Sequence, residues 1–259
     1  MSILDTIQTG RKAMPPRLMV YGQEGVGKST FAAQAPNVIF IQTEDGLDQI
    51  ECSKFPLCTT FRDVITQLTA LRDEQHSFGT VAVDSLDWLE RLIHDSICND
   101  YGVKSIEKAD GGYGKGYVHA LSYWRQVLAL LDDLRTRRGM AIVLLAHSKI
   151  ERFEDPENPA YDRYSPRLHK SASALITEWA DAVLFASRRL RVSKDGERAM
   201  AAAIGSDGGE RVLRAAGGPS CVAKNRYGLP TEMPLQFAEL IPFIIPQPAP
   251  KEAPKNAQA

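Results

Sequence analysis

The chain of 259 residues carries 31 Lys+Arg against 32 Asp+Glu, a formal net charge of −1, with 44% hydrophobic and 24% charged residues. This composition excludes wholesale disorder and a generally basic, histone-like nucleic-acid binder, while leaving room for a local basic surface. No apolar run reaches the about 18 residues of a spanning helix, the N-terminus lacks the apolar core of a secretory signal, and Cys52, Cys58, Cys98 and Cys221 form no CxxC pair, so a cytoplasmic protein with reduced thiols and no membrane partner is expected.

A short polar helix is expected over about residues 2–12, broken at Pro15-Pro16 by the fixed φ and missing donors of proline. Leu18-Met19-Val20-Tyr21 reads as a strand stopping at Gly22, followed by a helix from Lys28 to Pro36. Val38-Ile39-Phe40-Ile41 is a second strand, rich in β-branched residues. Apolar positions at 61, 64, 65, 68 and 71 form a helical stripe, Thr80–Val83 a third strand, and 86–99 a second amphipathic helix. The longest helix is expected over 118–137, and Ala141–Ala146 is a fully apolar fourth strand. Strands that are apolar on both faces and alternate with helices predict an α/β fold, a mostly parallel sheet covered on both sides. Ala182–Phe185 is a fifth strand, and 186–204 reads as a hairpin about the Asp195-Gly196 turn, so antiparallel strands are expected to extend the sheet at the C-terminal end. Residues 1–245 read as one domain and the proline-rich 246–259 as a disordered tail.

Gly22-Gln23-Glu24-Gly25-Val26-Gly27-Lys28-Ser29 matches the phosphate-loop pattern G-x-x-x-x-G-K-[ST] in full, with Thr30 continuing into the helix. Glycines let the backbone curl so that successive N–H groups face phosphate oxygens, Lys28 reaches the β- and γ-phosphates, and Ser29 offers its hydroxyl to Mg²⁺. Asp84 ends the third strand, where a carboxylate can complete the Mg²⁺ shell; its alternative is to cap the next helix. Glu44 follows the second strand at the same edge, placed to orient a water against the γ-phosphate, against the alternative of an ordinary surface carboxylate; Asp45 is the next candidate. His147 ends the fourth strand, to contact the γ-phosphate or to serve as a hydrogen-bonded loop residue.

These residues together resemble the RecA-like branch of P-loop ATPases. Glu44 within Thr43-Glu44-Asp45-Gly46 looks like that branch's catalytic glutamate, and Asp84-Ser85 like its second Walker motif. Lys224-Asn225-Arg226 is similar to the Lys-x-Arg element that reaches a neighbouring protomer's γ-phosphate in recombinases and hexameric helicases; two cations one residue apart share one side of a strand. Within the branch the likeness is to phage-encoded ATPases of the single-strand-annealing recombination type, through these segments, Gly114–Tyr117 and Glu178–Asp181, over roughly residues 16–240. The resemblance implies ATP and Mg²⁺ as cofactors, single-stranded DNA as partner, a homo-oligomer with nucleotide at protomer interfaces, a single-strand-binding protein as a further partner, and the host bacterial cytoplasm as location. Only about fourteen residues precede the first strand, so the long polymerisation element of full-sized recombinases is not expected. The alternatives are a nucleotide-switched loader and a hexameric helicase-like motor.

Two segments are expected to be mobile cationic loops able to stack and pair with single-stranded DNA: 102–117, with Lys115 and Tyr117, and 148–173, with Arg163, Tyr164, Arg167 and Lys170. Solvated loops without a ligand are the alternative reading. The stretch from Arg188 to Arg226 adds a basic bias to the C-terminal strands.

Overall fold

The computed structural model describes residues 2–10, 13–195, 198–203 and 209–244. The expected N-terminal helix is reduced to a single 3-10 turn, Ile3–Thr6, closed by a Ser2/Asp5 capping box. Ile3, Leu4 and Ile7 stay exposed, so no burial offsets the cost of nucleating a longer helix.

The chain then alternates as the apolar pattern predicts: β1 (Arg17–Gly22), α1 (Lys28–Ala33), β2 (Val38–Gln42), a two-residue β3 (Ser53–Lys54), α2 (Phe61–Asp73), β4 (Thr80–Asp84), α3 (Leu86–Asp100), α4 (Lys115–Arg137) and β5 (Ala141–Phe153). After these come β6 (Tyr161–Pro166), α5 (Lys170–Trp179), β7 (Ala182–Arg188), β8 (Leu190–Asp195), β9 (Arg198–Ala203), β10 (Arg211–Arg214), β11 (Lys224–Asn225), β12 (Glu232–Pro234) and α6 (Phe237–Ile244). Strand order is β12-β10-β7-β1-β5-β4-β2-β3, with β11 paired to β7 and β6 to β5. The strands β7, β1, β5, β4, β2 and β3 run parallel, β10 and β11 pair antiparallel to β7, and β12 pairs antiparallel to β10, the expected fold class.

Alternate residues of each central strand face opposite layers, as the period of two requires. Met19, Tyr21, Val81, Val83 and Leu144 pack with α2, α3, α4 and α5, whereas Leu18, Val20, Ala82 and Val143 pack with α1 and α6. Phe31 of α1 meets Phe237 of α6 with ring centroids 5.4 Å apart. α6 was not anticipated; its eight residues include Pro242, which masks a helical pattern.

Three expectations need correction. The segment 148–173 is ordered structure: β5 continues past the sheet as far as Phe153 and turns back as β6, pairing Ser148 with Pro166 and Phe153 with Tyr161. Strand-forming residues hidden among the charges, Ile150, Phe153, Tyr161 and Tyr164, sustain that hairpin. The segment 102–117 is likewise packed: a 3-10 turn over Ile106–Gly111 buries Ile106 and Ala109, and α4 starts at Lys115. Gly116 is required there, because a Cβ would lie 2.1 Å from the Ile106 carbonyl oxygen. Finally, β8 and β9 form the expected hairpin but as a separate two-stranded sheet, since β10 already occupies the free edge of β7. The turn residues 196–197 and the tail 246–259 lie outside the described residues.

Candidate functional site

Parallel strands bring their C-terminal ends to one edge, and register sets what meets there. Gly22 lies beside His147 of β5 and Ala186 of β7, while Asp84 lies beside Leu145 and Gln42. The four strand ends that carry polar residues in sequence thus converge on one cleft of about 400 Å³. Its lining includes Gly25, Gly27, Lys28, Ser29 and Thr30 from the loop side and Glu44, Asp84 and His147 from the strand ends.

The loop glycines have different tasks. Gly25 and Gly27 take φ of +69° and +103°, which a side chain would oppose. Gly22 instead serves the sheet, because a Cβ there would sit 2.2 Å from the Ala186 carbonyl oxygen. Val26 turns its side chain into the core, so only its backbone can face a ligand, and Glu24 stands on the outer lip.

Lys28 is buried, and its Nζ donates to the carbonyl oxygens of Gly22 at 3.1 Å and Gln23 at 3.0 Å. Burial lowers its pKa, opposed by the carboxylates of Asp84, Asp87, Glu24 and Glu44. Ser29 Oγ donates to Asp84 Oδ2 at 2.5 Å. Burial raises the Asp84 pKa and Glu44 adds to it, while Ser29, Lys28 and His147 pull the other way. Asp84 does not cap α3; Ser85 occupies that position. The ends of β2 and β4 are tied by Thr43 and Glu44 N–H groups donating to the Asp84 carbonyl and by Thr43 Oγ1 donating to the Ser85 carbonyl at 2.6 Å. Ser85 Oγ donates to Glu44 Oε2 at 3.0 Å, which aims that carboxylate along the cleft wall. Asp45 is exposed and does not join this wall.

His147 is held by a residue that was not anticipated. Its backbone N–H donates to Asp87 Oδ1 at 3.0 Å and its Nδ1 lies 3.0 Å from Asp87 Oδ2 and 3.8 Å from Glu44 Oε2. Asp87, in the first turn of α3, also accepts from Arg167 Nη2 at 2.8 Å. Burial alone would raise the Asp87 pKa, but the bonds from His147 and Arg167 outweigh it and hold the carboxyl well below its ordinary range. Arg167, expected among the DNA contacts, is therefore drawn to the cleft mouth, where Nη1 also reaches Glu24 Oε1 at 2.9 Å. Arg211 of β10 lines the opposite wall and was equally unanticipated; a Cβ on Gly27 would come within 2.9 Å of its guanidinium.

Lys224 and Arg226 lie at the far edge of the sheet, where Lys224 pairs with Val183 at the start of β7. Lys224 Nζ donates to the carbonyls of Thr177 and Glu178 at 2.9 and 2.7 Å, and Arg226 Nη1 meets Asp181 at 3.4 Å. Neither reaches this chain's own cleft. Of the remaining expected DNA residues, Arg163 and Lys170 line a groove of about 460 Å³ with Lys149 and Lys224. Arg163 lies 3.9 Å over the Phe153 ring, and Tyr164 stacks on Phe185. Tyr117 stacks on His169 at 4.0 Å, and Lys115 pairs with Asp110 at 3.7 Å. All four cysteines are free thiols; burial pushes Cys58 up to about 12. Among the described residues no group of three or more His, Cys, Asp or Glu side chains is arranged to hold a metal by itself, and no helix is long and apolar enough to cross a membrane.

Ser29 and Asp84 fit a small hard cation by chemistry, being a hydroxyl and a carboxylate whose oxygens already converge. The SPbeta prophage-derived uncharacterized protein YorG of Bacillus subtilis (strain 168) is 22% identical over 174 residues, 66% of this chain and 50% of that protein. The chain thus spans half the length of this relative. Among solved structures, the crystal structure of the RadB recombinase superimposes over 78% of this chain and 81% of that one, with 12% identity and a TM-score of 0.43. The family model described as AAA domain (AAA_24) matches residues 14–227, so the chain belongs to that AAA domain family.

Proposed function

We propose that the chain binds MgATP in the Gly22–Ser29 cleft, hydrolyses it, and acts on single-stranded DNA in phage recombination by promoting strand annealing or exchange. The observation that carries the first part is the convergence of Lys28, Ser29–Asp84, Ser85-held Glu44 and Asp87-held His147 on one cleft at the ends of β1, β2, β4 and β5. In this reading Lys28 exchanges its two loop carbonyls for β- and γ-phosphate oxygens. Ser29 and Asp84 hold Mg²⁺, which when bound neutralises phosphate charge. Glu44 orients the attacking water and accepts its proton, while Ser85 keeps the carboxylate in place. His147, whose Nδ1 is engaged by Asp87, has its other ring nitrogen left for the terminal phosphate.

The DNA part is supported by the basic groove between the β5–β6 hairpin and α5, where Lys149, Arg163 and Lys170 gather, and by the likeness to a prophage-derived protein. Exposed Tyr113 adds a ring available for stacking near Lys115. A homo-oligomer is part of the same reading. In it, Arg226, whose side chain is 56% exposed, exchanges Asp181 for a neighbour's nucleotide, and Lys224 supports the strand from its anchor on α5. The test is phosphate release from ATP with and without single-stranded DNA, beside annealing of complementary oligonucleotides with and without ATP. Turnover stimulated by DNA together with ATP-dependent annealing supports the proposal. Nucleotide turnover with no effect on annealing removes the recombination role.

A further inference from the structure

The cleft mouth carries a cation for which the proposed hydrolysis has so far needed no task. Arg167 follows β6, and its backbone N–H donates to the His147 carbonyl at 2.8 Å. Its guanidinium is stretched between two unlike carboxylates. The Asp87 side chain is 4% exposed and also binds His147, so it is a fixed anchor; the Glu24 side chain is 66% exposed on the phosphate-loop lip. An ion pair at so exposed a carboxylate contributes little, so it exchanges readily for a stronger anion. The fork is also unsaturated: Arg167 Nε is buried and has no hydrogen-bond partner among the described residues. Glu44, the carboxylate placed to activate water, is among the charges that act on Arg167.

We propose that Arg167 is a second cation of this chain, besides Lys28, for the terminal phosphate of a nucleoside triphosphate, keeping Asp87 through Nη2 and exchanging Glu24 for a γ-phosphate oxygen through Nη1. The inference rests on the nucleotide-binding reading above. Arg167 shares its Asp87 anchor with His147 and its backbone N–H bonds the His147 carbonyl, so it stands directly behind the cleft-lining His147 and beside the phosphate-loop lip at Glu24. A guanidinium there opposes the charge that builds on the equatorial γ-oxygens during transfer. A diphosphate ends one phosphate short and makes no demand on it. Glu24 has the complementary role: it holds Arg167 in place when no terminal phosphate competes.

The test is calorimetric titration of the full chain, in Mg²⁺, with ADP and with a non-hydrolysable ATP analogue. Arg167→Gln is expected to weaken the triphosphate about tenfold, equivalent to about 1.4 kcal/mol, and to move ADP less than twofold. Glu24→Gln is expected to tighten the triphosphate severalfold relative to ADP, and that gain is expected to vanish in the Arg167→Gln background. Equal losses for both nucleotides, or a Glu24→Gln gain that persists without Arg167, overturn the proposal. Glu24 is exposed, so its variant keeps the test decisive even if Arg167→Gln fails to fold: an unchanged triphosphate-to-ADP ratio is sufficient to reject it. Binding of neither nucleotide by the unmodified chain rejects the nucleotide reading itself, a result distinct from all of these.

Discussion

Replacing Asp87 by asparagine tests the least visible part of the site, the anchor beneath His147. The carboxylate accepts from the His147 backbone N–H, from His147 Nδ1 and from Arg167 Nη2, all within 3.1 Å. An amide in its place accepts at one oxygen only and turns a donor toward the remaining partners. Two charge-assisted bonds are lost, at about 1.5–3 kcal/mol each, partly offset because a buried charge no longer has to be desolvated. The expected net cost is about 3 kcal/mol, a large fraction of a typical total of about 5–15 kcal/mol. In urea unfolding followed by far-UV circular dichroism this lowers the midpoint by about 1 M, for a slope of about 3 kcal/mol/M. The sign with pH follows from the depressed carboxyl: its contribution is present above the ordinary carboxylate value and is lost as pH falls below about 4. The gap between the parent and Asp87→Asn should therefore narrow as the pH is taken below about 4. A midpoint within about 0.2 M of the parent at pH 7, or a gap independent of pH, would refute the reasoning.

Other consequences are equally direct. Glu44→Gln should retain nucleotide affinity and reduce turnover about 10²–10⁴-fold, measured by phosphate release against calorimetric binding; unaltered turnover removes Glu44 from the mechanism. Gly22→Ala places a Cβ 2.2 Å from the Ala186 carbonyl and should lower the thermal midpoint sharply even without nucleotide, whereas loss of nucleotide binding at unchanged stability contradicts a sheet-packing role. Glu90 of α3 accepts the His169 N–H, and burial raises its pKa to about 7, so stability should fall as pH rises through that value. Glu90→Gln should flatten that slope between pH 5 and 8 in denaturant titrations; an unchanged slope points to another group.

The parts of the site legible in the sequence are those marked by a local contrast. Glu44, Asp84 and His147 each come at or just after the end of an apolar β-strand run, and a parallel sheet necessarily brings such ends to one edge. The phosphate loop announces itself by glycine spacing, although the structure gives Gly22 a packing role that the pattern alone does not distinguish from a phosphate role. Arg167 and Arg211 are distant from the loop in sequence and come near it only through strand pairing, so nothing local to them signals the cleft, whereas Asp87 follows Asp84 by three residues but reads in sequence as an ordinary acid of a helix's first turn. The same reason explains the two segments expected as loops. Charge and glycine content suggested solvation, whereas Ile106, Ala109 and the β5–β6 pairing supply the burial and hydrogen bonds that order them. Lys224 and Arg226 illustrate the converse: a recognisable spacing whose contacts within the chain, to α5 and Asp181, could not be read from it.

The central claim is that the cleft at the strand ends is a nucleotide site built on Lys28, Ser29 and Asp84. Its most direct measurement is equilibrium binding of ATP to the parent chain and to Lys28→Ala, with and without Mg²⁺. The account predicts Mg²⁺-dependent binding by the parent and at least about a hundredfold weaker binding by the variant, given the about 1.4 kcal/mol per tenfold of affinity and the loss of a buried cation that meets two phosphates. ATP binding of equal strength in the two proteins, or indifference to Mg²⁺ in the parent, would contradict it.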